Sequence, residues 1–294
     1  MSNQRQILLV TGAGGQLGLE LVHMNVGDIE IIGKNRSELD ITDFESCEKV
    51  FRSLKPDIVV HAAAYTAVDK AESEPEAAWA INVEGTCNVA KAAEAVGAKF
   101  CYISTDYVFD GKGNMPYAEN HPTSPQSVYG VTKLEGERKA SEFSSKCFIV
   151  RTSWVYGKYG SNFVHTMLKL ATSKKEITVV DDQIGSPTYT YDLALFIADL
   201  VRSEKYGVYH ASNSGSCSWY EFAKAIFEEA GEESIVVHPC STEQFPRPAP
   251  RPTFSVLGQT ALIEAGFTPL RPWRDALREY LSQHADSYIF PGKP

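Results

Sequence analysis

The sequence has 294 residues, of which 43% are hydrophobic and 22% charged, and its formal net charge at pH 7 is −9. This acidic balance disfavours a nucleic-acid-binding protein, which usually presents a basic face, but it leaves room for a local basic pocket that holds a small anion. No stretch approaches the ~20 apolar residues that a membrane-spanning helix requires.

Cysteine and histidine usage argues against a metal site and against a disulfide framework. The six cysteines form no Cys-x-x-Cys pair, and the seven histidines form no His-x-x-x-His pair. Scattered cysteines are typical of reduced thiols in a cytosol, and residues 1–15 lack the apolar core of a signal peptide. We therefore expect a cytoplasmic protein with neither a membrane partner nor a nucleic-acid partner.

The first half of the chain alternates short apolar runs with helical patterns. Strands are predicted at residues 6–11, 28–33, 57–64, 99–105 and 147–157. Helices are predicted after the first strand, over residues 42–56 with Thr42 as N-cap and Glu45 completing a capping box, and over residues 74–97. This alternation predicts an α/β fold with a doubly wound, Rossmann-like parallel sheet.

After about residue 155 the alternation loosens. Helices are predicted over residues 162–173 and 218–231, a strand, a turn and a helix within 176–203, and a stiff polyproline connector over 246–252. This change of pattern predicts a first domain at residues 1–153, and residues of about 176–200 are predicted to belong to it as well. Residues 154–294 are predicted to form mainly a second, smaller lobe of mixed α/β structure.

A glycine cluster joins the first strand to the first helix, with Gly12, Gly15 and Gly18 at spacings of three residues. Glycines there allow a tight turn and a close approach of the backbone, so that amides and the helix dipole can meet a pyrophosphate. A glycine-rich turn without a ligand is the alternative. The position at the first turn of a doubly wound sheet favours a dinucleotide site.

The tip of the second strand carries Lys34, Asn35 and Arg36. An NAD-binding fold often has an acidic residue at this place, about 20 residues beyond the glycines, to bind the ribose hydroxyls. The two cations could instead neutralise a 2′-phosphate, so the sequence favours NADP over NAD. A solvated basic loop is the alternative.

Tyr129 and Lys133 stand four positions apart in a predicted helix, and therefore on one face of it. A free tyrosine phenol titrates near pH ~10, which makes it a poor acid or base at neutral pH. An ammonium beside the phenol favours the phenolate and is expected to lower its pKa. A Tyr-x-x-x-Lys pair by itself often occurs by chance, but together with the upstream glycine cluster it indicates a catalytic acid.

Ser104, Thr105 and Asp106 follow the fourth strand, at the edge of the sheet where ligands of open α/β folds bind. A hydroxyl there could form a hydrogen bond with a substrate carbonyl that Tyr129 also polarises. The alternative is a strand-end turn with an Asx-type cap.

With these motifs in place, the sequence resembles the extended short-chain dehydrogenase/reductases and, within them, the dTDP-4-dehydrorhamnose reductases. The Tyr-x-x-x-Lys pair is shared by the whole superfamily, whereas several other segments are selective for these reductases. The resemblance runs almost end to end, through GAGGQLG (12–18), HAAAYTAVDKAESEPE (61–76), STDYVFDG (104–111), YGVTKLEGE (129–137), RTSWVYG (151–157), DDQIGSPTYT (181–190) and RPTFSVL (251–257).

The resemblance implies that NADPH delivers a hydride to the C4 ketone of dTDP-4-dehydro-L-rhamnose. Tyr129 would protonate the developing alkoxide, and Lys133 would hold the nicotinamide ribose. The resemblance places Thr105, Asp106 and Trp154 against the sugar. With the motifs above, the implied cofactor-binding residues are Gly12, Gly15, Gln16, Leu17, Gly18, Lys34, Asn35, Arg36, Asp40, Ile41, Ala62, Ala63, Ala64, Tyr65, Tyr129 and Lys133.

Residues 1–153 would then bind NADP and residues 154–294 the sugar nucleotide. The resemblance further implies a homodimer, and it leaves NADH as an alternative cofactor. Some members of the family bind magnesium through glutamates. Glu20 falls at one such position, but Asp192 stands near another, so magnesium is kept as an alternative that the sequence does not support, and no metal ligand is predicted.

Two alternatives stay open at this point. The regulatory subunit of methionine adenosyltransferase resembles these reductases and binds NADP without catalysis, but a binding module has no chemical need to keep Thr105, Tyr129 and Lys133 together. A sugar-nucleotide epimerase or dehydratase of the same superfamily is the second alternative. Dehydration is disfavoured because no glutamate follows Asp106 to complete an acid–base pair.

Overall fold

A computed structural model describes residues 5–232 and 234–284 of the chain. The described strands are β1 (Gln6–Thr11), β2 (Ile29–Lys34), β3 (Ile58–His61), β4 (Lys99–Thr105), β5 (Cys147–Thr152), β6 (Val155–Tyr156), β7 (Glu176–Val180), β8 (Ile184–Gly185), β9 (Thr188–Tyr189), β10 (Gly207–His210), β11 (Cys217–Ser218) and β12 (Val236–Cys240).

The described helices include short 3-10 turns at Asp106–Val108 and Thr242–Gln244 and a π-helical segment at Ala80–Gly85. The α-helices are α1 (Gln16–His23), α2 (Phe44–Leu54), α3 (Val68–Ala71), α4 (Pro75–Trp79), α5 (Thr86–Val96), α6 (Val128–Phe143), α7 (Phe163–Ala171), α8 (Thr190–Arg202), α9 (Trp219–Ala230), α10 (Thr260–Glu264) and α11 (Trp273–Gln283).

Six strands form a parallel sheet in the order β10-β5-β4-β3-β1-β2. Its central strands are almost continuously apolar and buried, as expected where helices cover both faces. The strand order reverses beside β1, which opens a crevice at the carboxyl edge of the sheet. The predicted doubly wound parallel sheet is confirmed.

Helices α1 and α8 cover one face of this sheet. Leu193 and Ile197 of α8 share a buried cluster with Leu8 and Val10 of β1 and with Leu21 of α1. A second buried cluster covers the other face, built from residues of α2, α5 and the strands. Apolar burial on both faces fixes the sheet edge to which the functional side chains are attached.

The predicted helix over residues 74–97 is one continuous helical run, but its middle is π-helical. The wider turn places Asn82 in the interior, where its side chain accepts a hydrogen bond from the Tyr65 amide at 2.8 Å and donates to Thr132 at 3.0 Å. Gly97 ends the run in the left-handed conformation, with φ of 75°. The helix therefore anchors the loop after β3 and the helix α6.

The predicted N-cap of the second helix is wrong by one residue. Asp43 caps α2 by accepting a hydrogen bond from the Glu45 amide, whereas the Thr42 hydroxyl donates to Asp40 at 2.7 Å. The predicted third strand also ends earlier, at His61, and the fifth ends at Thr152.

The smaller strands lie outside the six-stranded sheet. β7 pairs in parallel with β12, and β6 pairs in parallel with β9, whereas β8 pairs antiparallel with β11. A separate buried cluster joins α7, α9 and α11, with Phe222, Ile226 and Leu277 at its centre.

The pairing of β7 with β12 differs from the predicted return of residues 176–180 to the first domain. Within the predicted returning segment, α8 packs on the sheet. β10, which lies beyond that segment, joins the edge of the sheet beside β5. The two-domain division stays a prediction, and residues 285–294 of its second part lie outside the described residues. No helix among the described residues is both long enough and apolar enough to span a membrane.

Candidate active site

A cavity of about 1400 Å³ opens at the carboxyl edge of the six-stranded sheet. Its wall brings together the glycine loop after β1, the tips of β4 and β5, the start of α6, and residues from the C-terminal half. All of the sequence-predicted site residues line it except Lys34 and Tyr65.

The glycine loop packs too closely for side chains at two of its three predicted positions. A Cβ added at Gly12, whose φ is +69°, would lie 2.5 Å from the Ala63 nitrogen, and one at Gly18 would lie 2.2 Å from the Gly12 carbonyl oxygen. Gly15 precedes α1, and no side chain caps the first turn of that helix. Its amides are therefore available to an anion in the cavity.

Arg36 and Asn35 lie in the cavity wall at the tip of β2, and the Arg36 side chain is exposed. Lys34 instead directs its ammonium to Glu38, with Nζ 3.6 Å from Oε1, and lies outside the wall. Arg36 forms no ion pair with a carboxylate within residues 5–232 and 234–284. It is therefore the cation at this tip that can meet a 2′-phosphate.

Asp40, Ile41 and Ala62–Ala64 line the cavity beside this tip, as predicted. Tyr65 does not, because its phenol donates a hydrogen bond to Glu74 at 2.8 Å and its backbone is held by Asn82. The chain after β3 therefore lines the cavity through Ala62–Ala64 and again through Thr66 and Val68, but not through Tyr65.

The helix α6 presents Tyr129 and Lys133 to the cavity. Ser127 caps this helix by accepting a hydrogen bond from the Gly130 amide at 3.1 Å. The Lys133 side chain is buried, its ammonium donates to the Ile103 carbonyl at 2.6 Å, and it lies 4.1 Å from the centre of the Tyr102 ring. These contacts fix the lysine against the end of β4.

Burial determines the titration of both residues. It raises the pKa of Tyr129 to about 12, although hydrogen bonding by Thr105 works against this. Burial also lowers the pKa of Lys133 to about 7, against the charge of Glu137, which raises it. Burial therefore dominates the pKa of Tyr129, and the phenol is protonated at neutral pH. The lowering of this pKa by Lys133 stays a prediction.

Thr105 and Asp106 are both buried at the tip of β4 and line the cavity. The Thr105 hydroxyl donates to the Asp106 carboxylate at 3.0 Å, and its oxygen accepts from the Tyr107 amide at 3.3 Å, which leaves one lone pair as an acceptor. Burial raises the pKa of the Asp106 carboxyl to about 6.

Trp154 lies in the wall with an unusual backbone, because its φ is +47°. Its indole stacks on that of Trp219, with ring centres 3.5 Å apart and an angle of 8° between the planes. A Cβ added at Gly185 would lie 2.5 Å from the same indole. The ring is thus held between two neighbours, which is how a strained residue persists at a functional site.

A buried ion pair between Glu137 and Arg151 contacts the tip of β4 through Ser104. Glu137 accepts hydrogen bonds from Arg151 at 2.8 and 2.7 Å and from the Ser104 hydroxyl at 2.5 Å. Because Ser104 precedes Thr105 and Glu137 lies one turn beyond Lys133, this network fixes the strand tip against α6.

Sequence reasoning missed part of the wall. The segment predicted as a polyproline connector, 246–252, borders the cavity instead, because Arg247, Arg251 and Pro252 line it. Two arginines in a short segment of an acidic chain were the available signal. Other lining residues that were not predicted include Gly14, Ser37, Thr42, Gln183, Trp219 and Phe245.

The residues considered for magnesium do not form a site. The Asp192 carboxylate accepts hydrogen bonds from Arg271 and Asn213, while Glu20 accepts one from Thr190. No group of three histidine, cysteine, aspartate or glutamate side chains within residues 5–232 and 234–284 could hold a metal ion. The donors present do not fit a divalent cation.

Known proteins resemble the chain over nearly its whole length. Residues 5–285 match the family model described as RmlD substrate binding domain. The chain is 49% identical over 281 residues to the spore coat polysaccharide biosynthesis protein SpsK of Bacillus subtilis (strain 168), an alignment that covers 95% of this chain and 98% of that protein. It is 45% identical over 278 residues to dTDP-4-dehydrorhamnose reductase of Streptomyces griseus, covering 92% and 91%.

A solved structure shares the same architecture. The crystal structure of dTDP-4-dehydrorhamnose reductase from Bacillus anthracis str. Ames in complex with NADP superposes with a TM-score of 0.93. It is 45% identical in sequence, and the match covers 95% of this chain and 100% of that one.

Proposed function

The chain belongs to the family described as RmlD substrate binding domain, and from that membership we propose that it reduces the C4 ketone of dTDP-4-dehydro-L-rhamnose with NADPH. It is an NADP-dependent oxidoreductase of the dTDP-4-dehydrorhamnose reductase kind. The observation that carries the residue-level proposal is that Tyr129, Lys133 and Thr105 share one cavity with the glycine loop.

NADPH, when bound, supplies the hydride that the ketone carbon accepts. The glycine loop and the first turn of α1 would hold its pyrophosphate, and Arg36 its 2′-phosphate. The close packing of Gly12 and Gly18 supports this assignment, because a side chain at either position would clash with backbone.

Tyr129 donates the proton that the new alkoxide requires. Its raised pKa keeps the phenol protonated at neutral pH, which suits the reducing direction. Donation leaves a phenolate, and the ammonium of Lys133, one helical turn away, stabilises that charge. The Thr105 oxygen can accept a hydrogen bond from a sugar hydroxyl while its proton is directed to Asp106. If the hydroxyl turns to the phenol, it donates to the phenolate and favours proton release.

The test is turnover. Purified protein mixed with NADPH and the dTDP-linked 4-keto sugar should lose NADPH absorbance and form dTDP-L-rhamnose. NADPH binding without oxidation would instead favour the non-catalytic module, and conversion without added reductant would favour an epimerase or dehydratase.

We also propose that the protein is a cytoplasmic homodimer whose product serves polysaccharide synthesis. The name of the Bacillus subtilis relative, a spore coat polysaccharide biosynthesis protein, supports that destination. Trp79 and Val131 are 42% and 40% exposed on helices that pack together, a face that a second copy would cover. Sedimentation of the wild type beside Trp79→Glu tests the dimer: a monomeric wild type would contradict it.

A further inference from the structure

The indole of Trp154 lies in the cavity wall in an arrangement that its surroundings impose on it. Its backbone has φ of +47°, in the left-handed region that a bulky residue rarely adopts. Its ring lies flat on that of Trp219, with centres 3.5 Å apart, although aromatic rings by themselves prefer an offset or edge-on arrangement. Two unfavourable features at one residue persist only where the neighbouring structure determines them.

Trp219 is held by contacts that do not involve Trp154. It is the first residue of α9, and the preceding residue, Ser218, caps that helix through a capping box. The Ser218 hydroxyl also donates to the Asp181 carboxylate at 2.5 Å. The Trp219 ring packs on that of Phe163, with centres 4.6 Å apart. The position of the Trp219 ring is therefore set by α9 and its aromatic neighbour.

Trp154 is confined from a second direction by Gly185. A Cβ added at Gly185 would lie 2.5 Å from the indole, so the glycine backbone is already in contact with the ring. The Thr188 amide donates to the Trp154 carbonyl at 3.1 Å, which fixes the backbone of the tryptophan. If Trp219 were removed, the indole would be able to turn into the space that it leaves.

The indole of Trp154 lies close to the hydroxyl at the tip of β4. Trp154 follows Thr152 by two residues, a chain length of at most about 7 Å. Thr152 is in turn the register partner of Thr105 across β4 and β5. Both tryptophans line the cavity that also holds Thr105 and Tyr129. A molecule whose ketone lies at Tyr129 therefore brings the rest of its ring near Trp154.

We propose that Trp219 is a positioning residue for the sugar, because it holds the Trp154 indole in the orientation that contacts the sugar ring. The C–H groups of a sugar pack on the apolar surface of an aromatic side chain. An indole that is fixed beforehand binds them without the entropic cost of ordering a mobile ring. This inference rests on the proposed function, which supplies the sugar.

The experiment compares Trp219→Ala and Trp219→Phe with Trp273→Ala as the matched control. Trp273 is likewise the first residue of an α-helix, α11, and its ring contacts Phe222 as that of Trp219 does, but it does not line the cavity. Trp219→Leu keeps apolar bulk without an aromatic ring, so it tests the same point if the alanine variant does not fold.

The measurements are kcat/KM for the dTDP-linked 4-keto sugar and the affinities for NADPH and dTDP. Fluorine NMR of protein labelled with 5-fluorotryptophan follows the Trp154 ring without any need for turnover. The chain has four tryptophans, and the resonance of Trp154 is assigned as the one missing from Trp154→Phe.

Trp219→Ala should lower kcat/KM for the sugar nucleotide about tenfold, with the affinities for NADPH and dTDP changed less than about threefold. Trp219→Phe should stay within about threefold of the wild type, because a phenyl ring still stacks on the indole. The Trp154 resonance should shift in Trp219→Ala, since the ring current of the stacked neighbour is lost. Trp273→Ala should leave that resonance in place and kcat/KM within about twofold.

A double variant tests whether Trp219 acts through the indole. In a Trp154→Ala background, Trp219→Ala should change kcat/KM less than about twofold, because the group that it positions is already absent. A further tenfold loss in that background would overturn the inference, since the two residues would then act separately.

Two other results would overturn the inference. A loss of dTDP affinity in Trp219→Ala as large as the loss of kcat/KM would show that Trp219 contacts the nucleotide itself. An unshifted Trp154 resonance in Trp219→Ala would contradict the positioning role whether or not the protein turns over. A wild type without turnover would instead contradict the proposed function.

Discussion

Replacing Glu137 by glutamine should destabilise the protein far more than an exposed exchange of the same kind. The Glu137 and Arg151 side chains are 6% and 5% exposed, and the carboxylate accepts two hydrogen bonds from the arginine and one from Ser104. Glutamine keeps the shape but leaves a buried guanidinium without its counter-charge. Breaking a buried ion pair in this way costs about 3–5 kcal/mol.

Glutamine can still accept one hydrogen bond, so we expect the lower end, about 3 kcal/mol, or a Tm lower by about 5 °C. Glu135→Gln is the matched control on the same helix, because Glu135 pairs with Arg138 at the surface, where the side chains are 26% and 62% exposed. That exchange should cost at most about 1 kcal/mol.

Urea unfolding followed by circular dichroism measures both variants, and the double variant Glu137→Met/Arg151→Met separates charge from packing. Removing both charges should restore stability to within about 2 kcal/mol of the wild type, since an apolar pair needs no counter-charge. The reasoning is refuted if Glu137→Gln unfolds at the same urea concentration as Glu135→Gln.

Three further predictions concern the cavity. Tyr129→Phe should lower kcat by about 10²–10⁴-fold with NADPH affinity nearly unchanged, measured by steady-state and binding assays; a loss of only a few-fold would contradict its role as acid. Arg36→Ala should raise KM for NADPH about tenfold and leave KM for NADH unchanged. The control Lys34→Ala, at a residue outside the cavity wall, should change either KM less than about threefold. Equal effects of Arg36→Ala on the two cofactors would contradict a contact between Arg36 and the 2′-phosphate. Burial lowers the pKa of Lys133 from 10.5 to about 7, so between these pH values the unfolded chain binds more protons than the folded one. The free energy of unfolding of the wild type should therefore increase with pH relative to that of Lys133→Met. Parallel Tm curves of the two proteins at pH 6 to 10 would contradict this.

Local sequence patterns predicted those features that depend only on residues nearby in the sequence. The glycines at 12, 15 and 18 and the pair Tyr129 and Lys133 could be found because their spacing follows a turn or a helical period. The N-cap of α2 shows the limit of such patterns. Thr42 and Asp43 are both good caps, and the choice depends on Asp40, whose carboxylate takes the threonine hydroxyl.

Contacts between distant segments could not be predicted in this way. The Ala249 amide reaches Asp69 across 180 residues of sequence, and β12 finds β7 rather than the main sheet. Neither contact produces a periodic pattern in the sequence. The raised pKa of Tyr129 could not be predicted for a related reason. It is caused by burial of the phenol, and burial depends on the packed structure rather than on the spacing of Tyr129 and Lys133.

The stacked indoles of Trp154 and Trp219 have a practical consequence for altering the shape of the cavity. The Trp154 indole packs so closely on Gly185 that any larger residue there would displace the ring. A mutant library that varies one of these three positions alone would mostly sample displaced rings. Varying the three together offers a route to a reshaped cavity.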